Sequence, residues 1–412
     1  MQVMYESCAG IDVHAKTVVV CLLKETGRVI RTFSTMTDDL LNLLDWLVAE
    51  RCSHVAIEST GVYWRPVFNI LECLVKVILV NAQHIKNVPG RKTDVRDCEW
   101  IAELLQHGLL KASFIPPMEI RELRELTRYR KCLTRERTRI ANRIHKVVES
   151  GNIKLGQVAT DALGVSGRAM LHALAAGETD VEKMAEMSHK RLRDKRPELR
   201  RALDGRLTTN QRWILGELLS RYDEIETAVT HVHERIRQYI TECSDPFIRE
   251  ACAMIDVVPG IGQELAEDII AETGVDMASF PSDRHIASWA GVCPGNRESA
   301  GKRKRERIGK GNPYLRSALT QAAWAASRTR KSYLSSQYHR LAKRLGGKRA
   351  LVAVSHSILV IIYHMLSKKT PYHDLGPDFV DERSQRILQK RLIHKLETLG
   401  LKVSIEERPR AA

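Results

Sequence analysis

The sequence predicts an α/β N-terminal region followed by a mainly α remainder. Three observations carry that reading. Short β-branched apolar runs alternate with helical apolar spacing as far as about residue 107. From residue 119 onward the spacing is helical almost throughout. Breaks at Pro116-Pro117 and Asp245-Pro246 separate the stretches. At 412 residues the chain exceeds one compact core, so the expected division is 1–115, 116–245, 246–380 and a charged tail at 381–412.

Residues 10–23 (GIDVHAKTVVVCLL) are one apolar run with an Asp near its start. Gly27 supplies a turn, and 28–34 reads as the second strand of a hairpin. Residues 38–51 set Leu40, Leu44 and Leu47 at helical spacing, with Thr37 or Asp38 as the cap. A strand at 54–59, a helix at 62–74 and a strand at 75–81 follow, and the alternation predicts a layered sheet with parallel members. A polar loop, 83–93, leads into a helix from 94 to 107. Residues 119–150 read as one long basic helix, rich in arginine from Arg121 to Arg143 and ending on Lys146. Residues 213–240 sustain an apolar period that suggests a helical hairpin or coiled coil. Past 246, VVPGIG at 257–262 lies between two helical segments. A basic stretch, 301–310, leads into a helix at 313–326, and the apolar 351–366 is the expected core of this part.

Lys and Arg number 65 against 50 Asp and Glu, a formal charge of +15. Such an excess points to polyanionic partners and says nothing of fold. It is expected to be concentrated at 121–146 and 302–310. Aromatic residues are only 5%, which argues against an aromatic-rich stacking sheet. The longest apolar run, 358–363, is too short to span a bilayer, so no membrane partner is expected. The first residues carry no signal-peptide pattern. Nine scattered cysteines without a C-x-x-C pair fit reduced thiols in a cytoplasmic protein.

Four sets of residues are candidates for chemistry. Asp12 lies on the first strand, Glu58 ends a later one, and Asp94 and Asp97 open a helix on one face. Adjacent strands would bring the first two together under the acidic helical turn. Hard oxygen ligands of this kind hold Mg²⁺ or Mn²⁺. Taken singly, each acid is more simply a solvated group or a helix cap. The second set is the turn with Gly260 and Gly262, which resembles the hairpin of a helix-hairpin-helix and would offer backbone N–H groups to phosphate. The third is Ser299, in a small-residue loop followed by Lys302, Arg303, Lys304, Arg305 and Lys310. Nothing local supplies a base, so on local grounds it reads as a loop serine beside a basic patch. The fourth is Arg121, Arg124, Arg128, Lys131 and Arg135 of the long helix, candidates for nucleic-acid contact. His14, His84, His145, His356 and His364 show no metal-ligand spacing and read as structural or surface, and Trp289 and Trp324 as core or interface.

These motifs assemble into a resemblance. GIDVHAK at 10–16, IESTGVYW at 57–64 and NAQHIKNVPGRKTDVRD at 81–97 closely resemble the N-terminal half of transposases of the insertion sequence one-ten (IS110) family, which includes Piv-like DNA invertases. PGIG at 259–262, WAGVCPGN at 289–296, ESAGK at 298–302 and KGNPYLR at 310–316 look like its second domain. The resemblance implies an RNase H-like, RuvC-like mixed sheet at the N-terminus. It implies that the family's D-E-D-D tetrad falls on Asp12, Glu58, Asp94 and Asp97, and its nucleophilic serine on Ser299. Ser-Ala-Gly stands at 299–301 where many members have Ser-Gly-Gly. The resemblance further implies donor and target DNA, a noncoding bridge RNA and a homo-oligomer that is a tetramer at synapsis. The expected chemistry is attack by Ser299 on a DNA phosphate, assisted by ions on the tetrad. The rival readings are a nuclease using the carboxylates alone and a non-enzymatic DNA-binding protein.

Overall fold

The structure is a computed structural model that describes residues 3–59, 61–81, 94–293, 297–299, 302–304, 309, 311–379, 389, 392–398 and 403. At 94–96, 297–299 and 302–304 it describes the backbone alone. The chain forms two compact units, residues 1–115 and 116–412.

The first unit is a five-stranded sheet of order β3-β2-β1-β4-β5. Its strands are β1 (Cys8–Val13), β2 (Thr17–Lys24), β3 (Gly27–Ser34), β4 (His54–Glu58) and β5 (Lys76–Val80). β1, β2 and β3 form an antiparallel meander, and β4 and β5 run parallel to β1. The run at 10–23 is therefore two strands and not one. The chain reverses over the polar His14-Ala15-Lys16, where the His14 N–H donates to the Thr17 carbonyl at 2.9 Å. The fold-back sets Val13 opposite Val18 and leaves Asp12 almost at the end of its strand.

Strand alternation sorts the side chains onto two faces. Ile11, Val13, Val20, Val55 and Ile57 pack with α1 (Thr37–Ala49) and α2 (Trp64–Leu71). Cys8, Ala56 and Val80 pack on the other face with Ile101 and Leu105 of α3 (Asp94–Gln106). The sheet is thus covered on both faces. β3, at the edge, is largely exposed and carries Arg28 and Arg31, charges that discourage further strand pairing.

The second unit is built on two long helices, α4 (Met118–Ser150) and α9 (Thr209–Glu242). At 33 residues α4 is about 50 Å long. The two run antiparallel: Tyr239 Oη donates to Glu122 at 2.8 Å, Arg221 to Glu136 at 3.0 Å, and Gln211 to Ser150 at 3.0 Å. Buried residues of α9 recur every three or four positions from Leu215 to Ile240, the spacing of a helix-packing seam. A capping box of Thr208 and Gln211 starts α9. Between the pair lie the short helices α5 (Leu155–Val158), α6 (Val165–Ala175), α7 (Val181–Glu186) and α8 (Arg196–Leu203).

After Asp245, whose carboxylate caps it, comes α10 (Pro246–Asp256), then a turn and α11 (Gln263–Thr273). α11 lies against α4, so residues 116–245 and the region after them share one unit. α12 (Asp283–Ala290), the hairpin β6 (Arg297–Ser299) and β7 (Lys302–Lys304), then α13 (Pro313–Ala326), α14 (Tyr333–Leu345) and α15 (Gly347–Lys368) complete the described fold. α15 is the one described helix long and apolar enough to cross a membrane. It packs against α12, α13 and α14, and buries Val354, Ile358, Leu359 and Ile362 as a core helix does.

Candidate functional site

In the first unit, Asp12, next to last in β1, and Glu58, last in β4, lie on neighbouring parallel strands. Ile11 pairs with Ile57, and each acid is the next residue along. Both belong to the face covered by α3, because Cys8 and Ala56, an even number of positions earlier, pack against that helix. Asp12 is only 6% exposed. A carboxylate at that depth is costly unless it is partnered. One partner is His14, whose Nε2 lies 3.2 Å from Asp12 Oδ2 while its side chain stays 52% exposed.

Helix α3 brings the other two acids to the same face. Its sheet-facing residues include Cys98, Ile101 and Ala102. Asp94 is one turn before Cys98 and Asp97 one turn before Ile101, so both belong to the first turn over the sheet. The closeness of α3 depends on Gly10. A Cβ there would sit 2.3 Å from the Cys98 carbonyl oxygen and 2.4 Å from the Ala102 nitrogen. Among the described residues no three His, Cys, Asp or Glu side chains converge as a metal-binding group, and the Asp94 side chain lies outside them.

In the second unit, Ser299 is the last residue of β6 and pairs with Lys302 across the tip of the hairpin. The side chains of Ser299, Lys302, Arg303 and Lys304 lie outside the described residues, as do Arg305 and Lys310 altogether. The base of the hairpin is described. Gly291 ends α12 in the left-handed region at φ 71°, and a Cβ on Gly311 would lie 2.4 Å from the Ala290 carbonyl oxygen. Backbone therefore meets backbone where the loop leaves and returns. Asn312, next in the chain, caps α13 through Tyr314 and Leu315 N–H and donates to Glu272 at 2.7 Å.

Glu272 gathers several elements. It is 2% exposed and accepts a two-pronged contact from Arg128, at 2.7 and 2.8 Å. Arg124 donates to the carbonyls of Ala271 and Glu272 at 2.9 and 2.8 Å. The Arg128 guanidinium also lies 4.4 Å over the Tyr314 ring, and that of Arg135 5.7 Å from it. Arg130 is buried against Glu267 and Asp268, and Lys131 lies 4.0 Å from Asp268. Burial pushes the Asp268 carboxyl up and the Lys131 ammonium down, since each charged form loses water. Arg124, Arg128 and Lys131, singled out for nucleic-acid contact, thus hold α4 to α11 and to the start of α13. Arg121 donates to the Pro116 carbonyl at 3.3 Å. Sequence reasoning missed Glu272, which belongs to no motif in the sequence.

Gly260 serves packing. At φ 91° a Cβ would meet the Ala322 carbonyl oxygen at 2.3 Å and the Ala326 nitrogen at 2.4 Å, so the turn lies directly on α13. Gly262 is exposed at the start of α11, with open space where a Cβ would stand.

Comparison with known proteins adds three findings. Residues 9–153 match a family model for the DEDD transposase of IS110, and residues 252–339 match the model of the transposase IS116/IS110/IS902 family. The pilin gene-inverting protein of Moraxella bovis is 28% identical over 148 residues, covering 35% of this chain and 45% of that protein. A putative transposase, y4rJ, of Sinorhizobium fredii is 29% identical over 268 residues, covering 60% of this chain and 58% of that protein. The matches thus span about half the length of each relative. Among solved structures, Thermus RuvC bound to a Holliday junction substrate is similar at 14% identity and a TM-score of 0.20, over 26% of this chain and 99% of that one.

Proposed function

The chain belongs to the IS110 family of transposases, and from that premise we propose that it is a DNA recombinase whose carboxylates and serine act on the same phosphodiester. One arrangement carries the reading. Asp12, next to last in β1, and Glu58, last in β4, lie on adjacent parallel strands under a helix that opens with Asp94 and Asp97. The four are oxygen donors alone, the chemistry Mg²⁺ or Mn²⁺ takes, and the buried Asp12 carboxylate needs positive charge nearby. These ions, when bound, supply charge against the phosphate oxygens.

Ser299 Oγ attacks the phosphorus in this reading. The Oγ–P bond forms as a P–O bond to one strand end breaks, and that end leaves as a hydroxyl carrying the proton. A hydroxyl of a second strand then attacks, the Oγ–P bond breaks, and Ser299 regains its proton. One phosphoester is made for each one broken, so exchange needs little net energy. The Gly291–Gly311 contact supports the serine's role by closing the base of its hairpin. A bridge RNA as guide, donor and target DNA as substrates, and a tetramer at synapsis belong to the same reading. Their support is the likeness of motifs and of family.

Trapping the protein on donor DNA and mapping the adduct by mass spectrometry tests this. The expected adduct is on Ser299 and vanishes in Ser299→Ala, and Asp12→Asn slows strand cleavage at least about 100-fold. An adduct on another residue, or full recombination by Ser299→Ala, overturns the reading.

A further inference from the structure

The charge of this chain is distributed in a way its total conceals. Residues 307–373 hold 13 Lys and Arg and no Asp or Glu, which leaves 52 against 50 in the rest of the chain. Eight of these cations, from Arg328 to Arg349, are exposed, and none of the eight makes an ion pair among the described residues.

A groove lies almost wholly within this acid-free stretch of the chain. It runs between α13 and α15, encloses about 640 Å³, and is lined by Val292, Pro313, Arg316, Trp324, Leu351 and Val352 among others. Trp324 is 46% exposed, and the Arg328 guanidinium lies 4.5 Å from its ring centroid. Lys348 stands one turn before Leu351 and Val352, on the same side of α15. At the other end, Val292 and Pro313 flank the Gly291–Gly311 contact that closes the serine hairpin, and Arg316 donates to the Gly309 carbonyl at 3.1 Å.

We propose that this groove is the docking site for an unpaired DNA strand running away from the scissile phosphate, its bases on Trp324 and its phosphates on Arg328 and Lys348. The inference rests on the recombinase reading above. An aromatic ring beside cations is the platform that single strands use, because every base has a π-face and every linkage a charge. A duplex keeps its bases stacked inside and cannot offer them to Trp324. DNA is the favoured strand because the groove starts at the base of the loop that carries Ser299. Exchanging strands requires the cut end to leave its own helix before it is rejoined, and the groove would hold what is released.

The test is fluorescence anisotropy of the full chain, carrying Ser299→Ala so that no covalent step intervenes. Labelled oligo(dT), oligo(U) and a DNA duplex are titrated across a salt series. Trp324→Ala should weaken oligo(dT) binding about tenfold, and Trp324→Phe should retain it, since phenylalanine still stacks. The double variant Arg328→Ala, Lys348→Ala should lower the salt slope for oligo(dT) by about 1.4, two single-strand contacts. Duplex affinity should change by much less, and oligo(U) affinity by no more than that of oligo(dT). Unchanged oligo(dT) binding overturns the proposal, as does an equal loss in Trp324→Phe, which would make the residue merely structural. A larger loss for oligo(U) would assign the groove to RNA and overturn it too. Because binding is read without chemistry, failure here is separable from failure of the serine mechanism, which the adduct map alone reports.

Discussion

Burial decides the chemistry of single residues in this protein, and the cysteines show it plainly. All nine are free thiols, five of them buried. Burial pushes Cys8 and Cys98 up to about 11, and Cys21, Cys52 and Cys252 up to about 12. The thiolate is the reactive form, so at pH 8 those five have about a thousandth or less of their sulfur available. Exposed Cys73 and Cys132 should therefore react first with iodoacetamide. Peptide mapping over time should show these two modified while the five buried thiols stay intact until the chain is unfolded. Early labelling of Cys98 would mean that α3 lifts from the sheet. The same logic applies to Asp12, whose buried carboxylate is held next to the exposed His14. His14 could have been paired with Asp12 from sequence, because residues two apart along an extended chain share a side. Its place in a turn hid that, since the apolar run at 10–23 reads as unbroken.

Elements position the acids through backbone contact more than through side chains. Gly10 lets α3 lie on β1 with no Cβ between them. Gly10→Ala should force the helix outward and cost about 1–3 kcal/mol in urea unfolding. Strand cleavage should fall further than that loss explains, because Asp94 and Asp97 ride on the helix that moves. Equal cleavage by folded Gly10→Ala protein would show that the spacing of α3 does not matter to the reaction. The nearness of Asp12 and Glu58 is readable from sequence only as two acids on strands of one sheet: Glu58 ends its strand, whereas Asp12 stands near the start of a run that reads as one strand and folds as two. The second long helix is readable because its apolar period is sustained from 213 to 240. Glu272 is not readable. Its partner Arg128 is 144 residues away in the chain, and only the packing of α4 on α11 shows that an acid in the last turn of α11 anchors an arginine and the cap of α13.

At the scale of the whole molecule, part of the positive charge on the long helix is already paired inside the protein. Arg128 faces a buried carboxylate, whereas Arg344 on α14 is exposed without an ion pair among the described residues. A cation already paired within the protein releases no counterion from DNA when the two meet, and an unpaired one does. Replacing one or the other should therefore separate two effects that net charge treats alike. Arg128→Ala leaves Glu272 without its two-pronged partner, and should cost about 3 kcal/mol of unfolding free energy. Its dependence of DNA affinity on salt should stay as in the parent. Arg344→Ala should leave stability within about 0.5 kcal/mol and lower the slope of log affinity against log salt on oligo(dT) by about 0.7. Chemical denaturation and a salt titration of each variant measure both quantities. If Arg128→Ala lowered the slope and Arg344→Ala did not, the long helix and not the acid-free surface would be what meets DNA.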